Sequence, residues 1–242
     1  GDVYKRQVSK SEADVLPDGA LMLGSLTEVT LPATLKAIGD GALASTAIKE
    51  IGIPATVEKI GTSAFANCNS LESVVLPAAV KALGANAFAD CGALKSADIS
   101  AAALQEVPAG AFARCAALAD VTLPSVAEIG ASAFAGCKAL TAMEFPKSLK
   151  KIDEKAFYGS VLAAADLAGC PALGEIGAWS FAACGDLTSA TFPESLKELG
   201  TGAFYSASAL TLGELPPVAR LSDLSLAAIG GTADASLTLP EG

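Results

Sequence analysis

One motif of about 23 residues recurs along most of the chain, and a chain that repeats at this interval has few ways to bury its apolar surface. The stretch from Leu71 to Ala93 reads LESVVLPAAVKALGANAFADCGA. Equivalent stretches open at Leu26, Ile48, Leu94, Leu118, Leu140, Leu162, Leu187 and Leu210. With Leu71 in its place, the intervals are 22, 23, 23, 24, 22, 22, 25 and 23 residues. Eight units follow the pattern L-x-x-V-x-L-P-x-x-L-x-x-I-G-x-x-A-F-x-x-C-x-x, and each column of it has a physical reading.

The opening L-x-x-V-x-L-P predicts a short strand, in which Val74 and Leu76 alternate with exposed positions. Val29, Ile51, Val74, Ala97, Val121, Met143, Ala165 and Ala190 are expected to be consecutive rungs of one parallel sheet. Proline follows at Pro32, Pro54, Pro77, Pro124, Pro146 and Pro193, where a missing N–H ends the ladder as the chain turns away. The I-G pair is next. One unit has Pro108 in the glycine column, and proline holds φ near −65°, so a left-handed backbone is not what this glycine supplies. Close approach of neighbouring chains is the remaining reading. The A-F column holds Phe65, Phe88, Phe112, Phe134, Phe157, Phe181 and Phe204, seven of the nine phenylalanines, with Leu43 in the first unit. No single unit can bury such a ring alone, so stacked units must share a continuous aromatic spine.

The flanks are irregular. Leu16-Pro17-Asp18-Gly19-Ala20-Leu21 matches Val107-Pro108-Ala109-Gly110-Ala111-Phe112 and reads as the second half of a unit. Residues 1–7 fit no later pattern and read as an extraneous tail, residues 8–209 as the repeat array, and residues 210–242 as a degenerate repeat or cap. Leu237 to Pro240 resembles another strand opening, so the chain reads as an excerpt of a longer array.

The pattern from Leu16 to Ala209, with strand, I-G, A-F and C in register, resembles the BspA-like leucine-rich repeats of bacterial surface proteins. That resemblance implies an α/β leucine-rich-repeat fold, a right-handed curved solenoid with a parallel β-sheet on its concave face. It also implies a secreted or cell-surface location and adhesion to a protein or glycan ligand, such as a host or matrix protein. It carries no binding residues over to particular positions.

Composition narrows the function classes. The net charge is −10, which argues against nucleic acid or an anionic membrane as partner, since both need clustered Lys and Arg. Wholly apolar runs are far shorter than the roughly 20 residues that span a bilayer, so no membrane insertion is expected. No secretory signal is recognisable at the start. There is no histidine, which removes the commonest general base and zinc ligand. No phosphate loop, nucleophile elbow or calcium-loop motif is found. The expectation is a protein that is not an enzyme and needs no cofactor or metal, either a recognition module or a spacer that presents another domain.

Three sets of residues are candidates within that frame. Cys68, Cys91, Cys115, Cys137 and Cys184 share a column with Thr46, Ser160 and Ala207, while Cys170 lies outside it. A column that accepts Thr, Ser or Ala calls for a small buried side chain, so reduced core thiols are expected rather than disulfides. Asp98, Asp120, Glu144 and Asp166 fall on outward strand positions of the middle units, expected within about 5–10 Å of one another. They read either as a patch for a basic partner or a calcium ion, or as solvated charge. Tyr158, Trp179 and Tyr205 occupy turn columns of three successive units. They form either a contact patch of the kind enriched in binding hot spots or filler beside alanine-rich neighbours.

Overall fold

The computed structural model describes residues 4–7, 14–212 and 220–221. Among these, eighteen short strands run in chain order. They fall into two sets. On the L-x-x-V-x-L-P stretches lie β3 (Leu26–Thr30), β6 (Ser73–Val75), β8 (Ser96–Asp98), β10 (Asp120–Thr122), β13 (Ala164–Asp166), β15 (Ser189–Thr191) and β17 (Thr211–Leu212), with β1 (Tyr4–Gln7) paired to β3. On the I-G stretches lie β2 (Val15–Leu16), β4 (Ala37–Ile38), β5 (Lys59–Ile60), β7 (Ala82–Leu83), β9 (Glu106–Val107), β11 (Glu128–Ile129), β12 (Lys151–Ile152), β14 (Glu175–Ile176), β16 (Glu198–Leu199) and β18 (Arg220–Leu221). All pairings are parallel and join neighbouring units in register, for example Val74 opposite Ala97 and Ile129 opposite Ile152. The fold is a parallel β-solenoid of stacked coils. No helix occurs among the described residues, so the helical layer of the expected α/β class is not found: the A-F segment turns instead of winding.

That segment carries the most regular bonding in the molecule. The N–H of each spine residue donates to a carbonyl in the next unit: Leu43 to Ala64, Phe65 to Ala87, Phe88 to Ala111, Phe112 to Ala133, Phe134 to Ala156, Phe157 to Ser180 and Phe181 to Ala203, at 2.7–2.9 Å. Leu21 donates to Ala42 in the same way, so the partial first unit stacks like the others. Two positions per unit make this turn possible. Gly41, Ser63, Asn86, Gly110, Ser132, Lys155, Trp179 and Gly202 precede the alanine, and Ser45, Asn67, Asp90, Arg114, Gly136, Gly159, Ala183 and Ser206 follow the A-F-x triplet. All sixteen have φ between 53° and 73°. Left-handed backbone is costly except for Gly and, less so, Asn or Asp, which explains the small polar bias of both columns.

The spine is as expected. All seven rings are essentially inaccessible to solvent, and successive pairs from Phe65 to Phe204 stack at 5.0–5.5 Å with planes within 11°. The remaining two phenylalanines, Phe145 and Phe192, meet it edge-on at Phe157 and Phe204. The glycine of I-G also behaves as the sequence implied. Its N–H donates to the residue before the glycine column one unit back, as Gly130 does to the Val107 carbonyl at 2.8 Å. A Cβ on Gly130 would lie 2.8 Å from Ala109 N and Val107 O. Pro108 cannot donate, and there the I-G ladder breaks into two sheets, β2-β4-β5-β7 and β9-β11-β12-β14-β16-β18.

The expectation of one continuous sheet through Val29 to Ala190 is corrected. The described ladders are β1-β3, β6-β8-β10 and β13-β15-β17, and residues 48–53 and 140–146 form no strand. Gly52 weakens the first gap. Both gaps also carry the largest side chains of the column, Ile51 and Met143, which stay partly exposed while Val74, Ala97, Ala165 and Ala190 are buried. Val121 is partly exposed too and keeps its pairing in β10, so partial exposure alone does not open the ladder.

All six thiols are free and buried. Those of Cys68, Cys91, Cys115, Cys137 and Cys184 donate to the carbonyl of the spine residue one unit back, at 3.0–3.2 Å. Thr46 and Ser160 touch the neighbouring thiols Cys68 and Cys184 at 3.2 and 3.4 Å, and Ala207 is buried in the same column, so the column selects small side chains. The hydrogen bond with Cys91, then burial, pushes the Cys68 thiol far up, and burial pushes Cys137 up to about 12. The Ser180 hydroxyl is buried without a partner among the described residues, in a column otherwise held by alanine.

Three outcomes test this account. Phe112→Ala should lower unfolding stability by about 3–5 kcal/mol in denaturant titrations; a loss below about 1 kcal/mol would contradict a continuous spine. Ser180→Ala should raise stability by about 1 kcal/mol, since it removes an unpaired buried hydroxyl. A thiol reagent at neutral pH should label none of the column cysteines until the protein is unfolded, because all of them are buried. Fast native labelling would refute that.

Candidate functional site

The four outward carboxylates are all exposed, as alternation requires, and they fall on two separate ladders and the unpaired stretch between them. Asp98 aligns with Val75 and Thr122 on its two sides, and Asp120 with Ser96. Asp166 aligns with Thr191 in a separate ladder. Two of the four are already engaged. Asp98 Oδ1 accepts from the Ser100 N–H at 3.0 Å and its hydroxyl at 2.7 Å, which hold its carboxyl below the usual carboxylate range. Asp166 Oδ1 accepts from the Thr191 hydroxyl at 2.6 Å.

Asp120 and Glu144 remain without a hydrogen-bond or ion-pair partner among the described residues, and they share a groove. It measures about 830 Å³ and is lined by residues 119–125 of one unit and 141–148 of the next, with Ser100 at its edge. Lys147, past Pro146, is the cation of its lining. A smaller groove of about 460 Å³, with Glu28 and Glu50, lies at the other gap in the ladder. The grooves therefore coincide with the two places where the rungs fail to pair, a feature no count of repeat residues could show. The only signals for it in the sequence are Ile51-Gly52 and the oversized Met143.

The aromatic candidates lie elsewhere, on the ridge of left-handed turns. Trp179 and Tyr205 meet edge to face at 5.3 Å, and the indole lies over Gly202, where a Cβ would come within 3.0–3.2 Å of it. Tyr158 and Tyr205 are 43% and 50% exposed, with Ala182 between them in the column, and Tyr158 makes no ring contact among the described residues. Trp179 holds φ 58°, where a bulky side chain is disfavoured by roughly 1–2 kcal/mol. The reading of this position as a turn column did not reach its backbone conformation; the recurrent Gly, Ser and Asn there were the signal of a left-handed site.

Ion pairs bridge neighbouring units on the surface, among them Arg114 gripping Asp90 through two bonds of 2.6 Å and Lys95 with Glu72 at 2.7 Å. Among the described residues no group of three or more His, Cys, Asp or Glu is placed to hold a metal ion, and no helix is long and apolar enough to cross a membrane.

This architecture has solved counterparts. The chain is similar to a leucine-rich repeat protein from Bacteroides ovatus at 27% identity and a TM-score of 0.67, over 84% of this chain and 58% of that one. It thus spans little more than half of that relative's length. It is also similar to a leucine rich cell surface protein from Faecalibacterium prausnitzii at 24% identity and a TM-score of 0.54, over 89% of this chain and 73% of that one. Comparison with curated proteins finds no match. The BspA type leucine rich repeat model matches in six copies, over residues 18–119 and 105–223. With strand, I-G, A-F and C columns stacked as that repeat requires, the chain belongs to the BspA-type leucine-rich repeat family.

Proposed function

We propose that the chain is a non-catalytic recognition module, carried on a bacterial cell surface or secreted protein, whose strand face binds a protein partner. The observation that carries this reading is the groove at Asp120 and Glu144. Two exposed, unpartnered carboxylates line one concavity on a scaffold whose neighbouring units are locked by hydrogen bonds and stacked rings. Rigid elements position such groups better than loops do. A net charge of −10 directs the choice of partner towards basic surfaces. The surface location is what the resemblance to the BspA-like repeats of bacterial surface proteins implies. Asp98 and Asp166 stand at neighbouring positions of the same face and extend the acidic field without lining the groove.

The second reading places recognition on the turn ridge, at Tyr158, Trp179 and Tyr205, where the strained backbone of Trp179 is the favouring observation. An array of basic, neutral and acidic proteins together with glycans separates the two. Asp120→Asn with Glu144→Gln should weaken capture of a basic protein by about tenfold or more, and added salt should do the same. Loss confined to the Tyr158→Ala, Trp179→Ala, Tyr205→Ala variant moves the site to the ridge. Capture unaffected by either variant leaves a spacer that presents another domain.

A further inference from the structure

Residues 142–145 cross the strand face between β10 and β13 without joining either. In the paired rungs, the residue before the proline column donates forward: Leu76 to the Asp98 carbonyl at 2.9 Å, Ile99 to Thr122 at 3.0 Å and Leu167 to Thr191 at 3.1 Å. Leu123 is the equivalent residue on the rung facing the gap, and its N–H has no acceptor among the described residues. The same holds for the N–H groups of Ala142, Met143, Glu144 and Phe145. Behind this opening the stack is intact. β11 pairs with β12, and Phe134 stacks on Phe157 at 5.4 Å. The two rungs are thus joined at the back and parted at the front, and the groove of about 830 Å³ fills the parting.

We infer that this groove takes an extended, lysine- or arginine-bearing peptide segment of a partner protein, which adds its main chain to the open backbone edge at Leu123 and 142–145. The inference rests on the recognition reading above and names the class of partner. An unpaired row of N–H and C=O groups is a template for another strand, and main-chain pairing supplies affinity that does not depend on sequence. Specificity comes from alternation. Every second side chain of an added strand lies on one face, where Asp120 and Glu144 stand exposed and, although Lys147 lines the same groove, form no ion pair among the described residues. Met143 and Phe145, both partly buried at the same segment, offer apolar surface to the intervening side chains. A glycan lacks the alternating donors and acceptors that this edge would match.

The probe is a capped octapeptide of alternating valine and lysine, offered to the whole chain. Its controls are the same peptide N-methylated at alternate residues and a valine–glutamate analogue. The valine–lysine peptide should bind and slow amide hydrogen exchange at Leu123 and residues 142–145, while protection at Ile129 and Ile152 stays unchanged. N-methylation, which removes the strand-pairing donors, should weaken binding by about tenfold. Asp120→Asn with Glu144→Gln should weaken it as well, whereas the glutamate analogue should not bind. Equal binding of the N-methylated peptide, or protection absent from residues 123 and 142–145, overturns the strand-addition inference. Acid-dependent binding in that case still leaves the recognition face standing. Failure of the valine–lysine peptide to bind at all overturns the inference alone, because the protein and glycan array judges the broader reading independently.

Discussion

The bond from each spine N–H to the alanine carbonyl of the next unit is the interaction on which the rest depends. It runs without interruption from Leu21 to Ala203, through every described unit, at 2.7–2.9 Å. The donors on either side of it close turns within the unit, as Ala64 and Ala66 do to Gly61 and Ser63, but the spine N–H is left to find its acceptor in a neighbour. The side chains then follow. The acceptor column is held to alanine, or to Ser180 once, because neighbouring chains approach closely there, and the adjoining column is free to carry a ring that stacks at about the interval the backbone sets. Hydrogen bonding and aromatic packing are therefore one repeat seen twice.

Because three columns bond the units independently, a defect in one is local. Pro108 removes one donor and splits the I-G ladder, yet Phe88 and Phe112 on either side stack at 5.5 Å. The gaps at residues 48–53 and 140–146 open the strand ladder while the spine beside them is unbroken. This is how a repeat protein differentiates a surface. Stability sums over neighbour interfaces, so a rung can give up strand pairing at one point and keep its place in the stack. The opening at residues 140–146 is where backbone polarity reaches solvent beside Asp120 and Glu144, two carboxylates without a partner among the described residues.

Trp179 is the other departure from local rule. It stands in a left-handed column beside the unpartnered hydroxyl of Ser180, over a glycine that leaves room for the indole. Both features cost stability, and such costs gather where a chain is selected for something besides folding. The ridge and the open rung lie on different columns, so a partner that used both would contact two sides of the same few units.

The repeat period, the spine, the close approach at glycine and the small buried thiol column were all legible in the residues. Each is a column property, imposed on every unit by the same neighbour contact, and eight copies average away the exceptions. The helical layer implied by the resemblance is not found, because the A-F segment turns instead of winding. Its true determinant, two left-handed positions per unit, shows only as a bias towards Gly, Ser and Asn. The continuity of the strand sheet was likewise beyond the sequence. Whether Ile51 or Met143 seats in the core depends on the space its neighbours leave, and that space exists only once the units are stacked. Four outward acids could be placed on one face by alternation alone. Ser100 engages Asp98 from two residues along the same unit, a local turn. That Thr191 of the next unit engages Asp166, while Asp120 and Glu144 have no partner among the described residues at an open rung, was decided by tertiary structure, because it depends on which rungs pair and which do not.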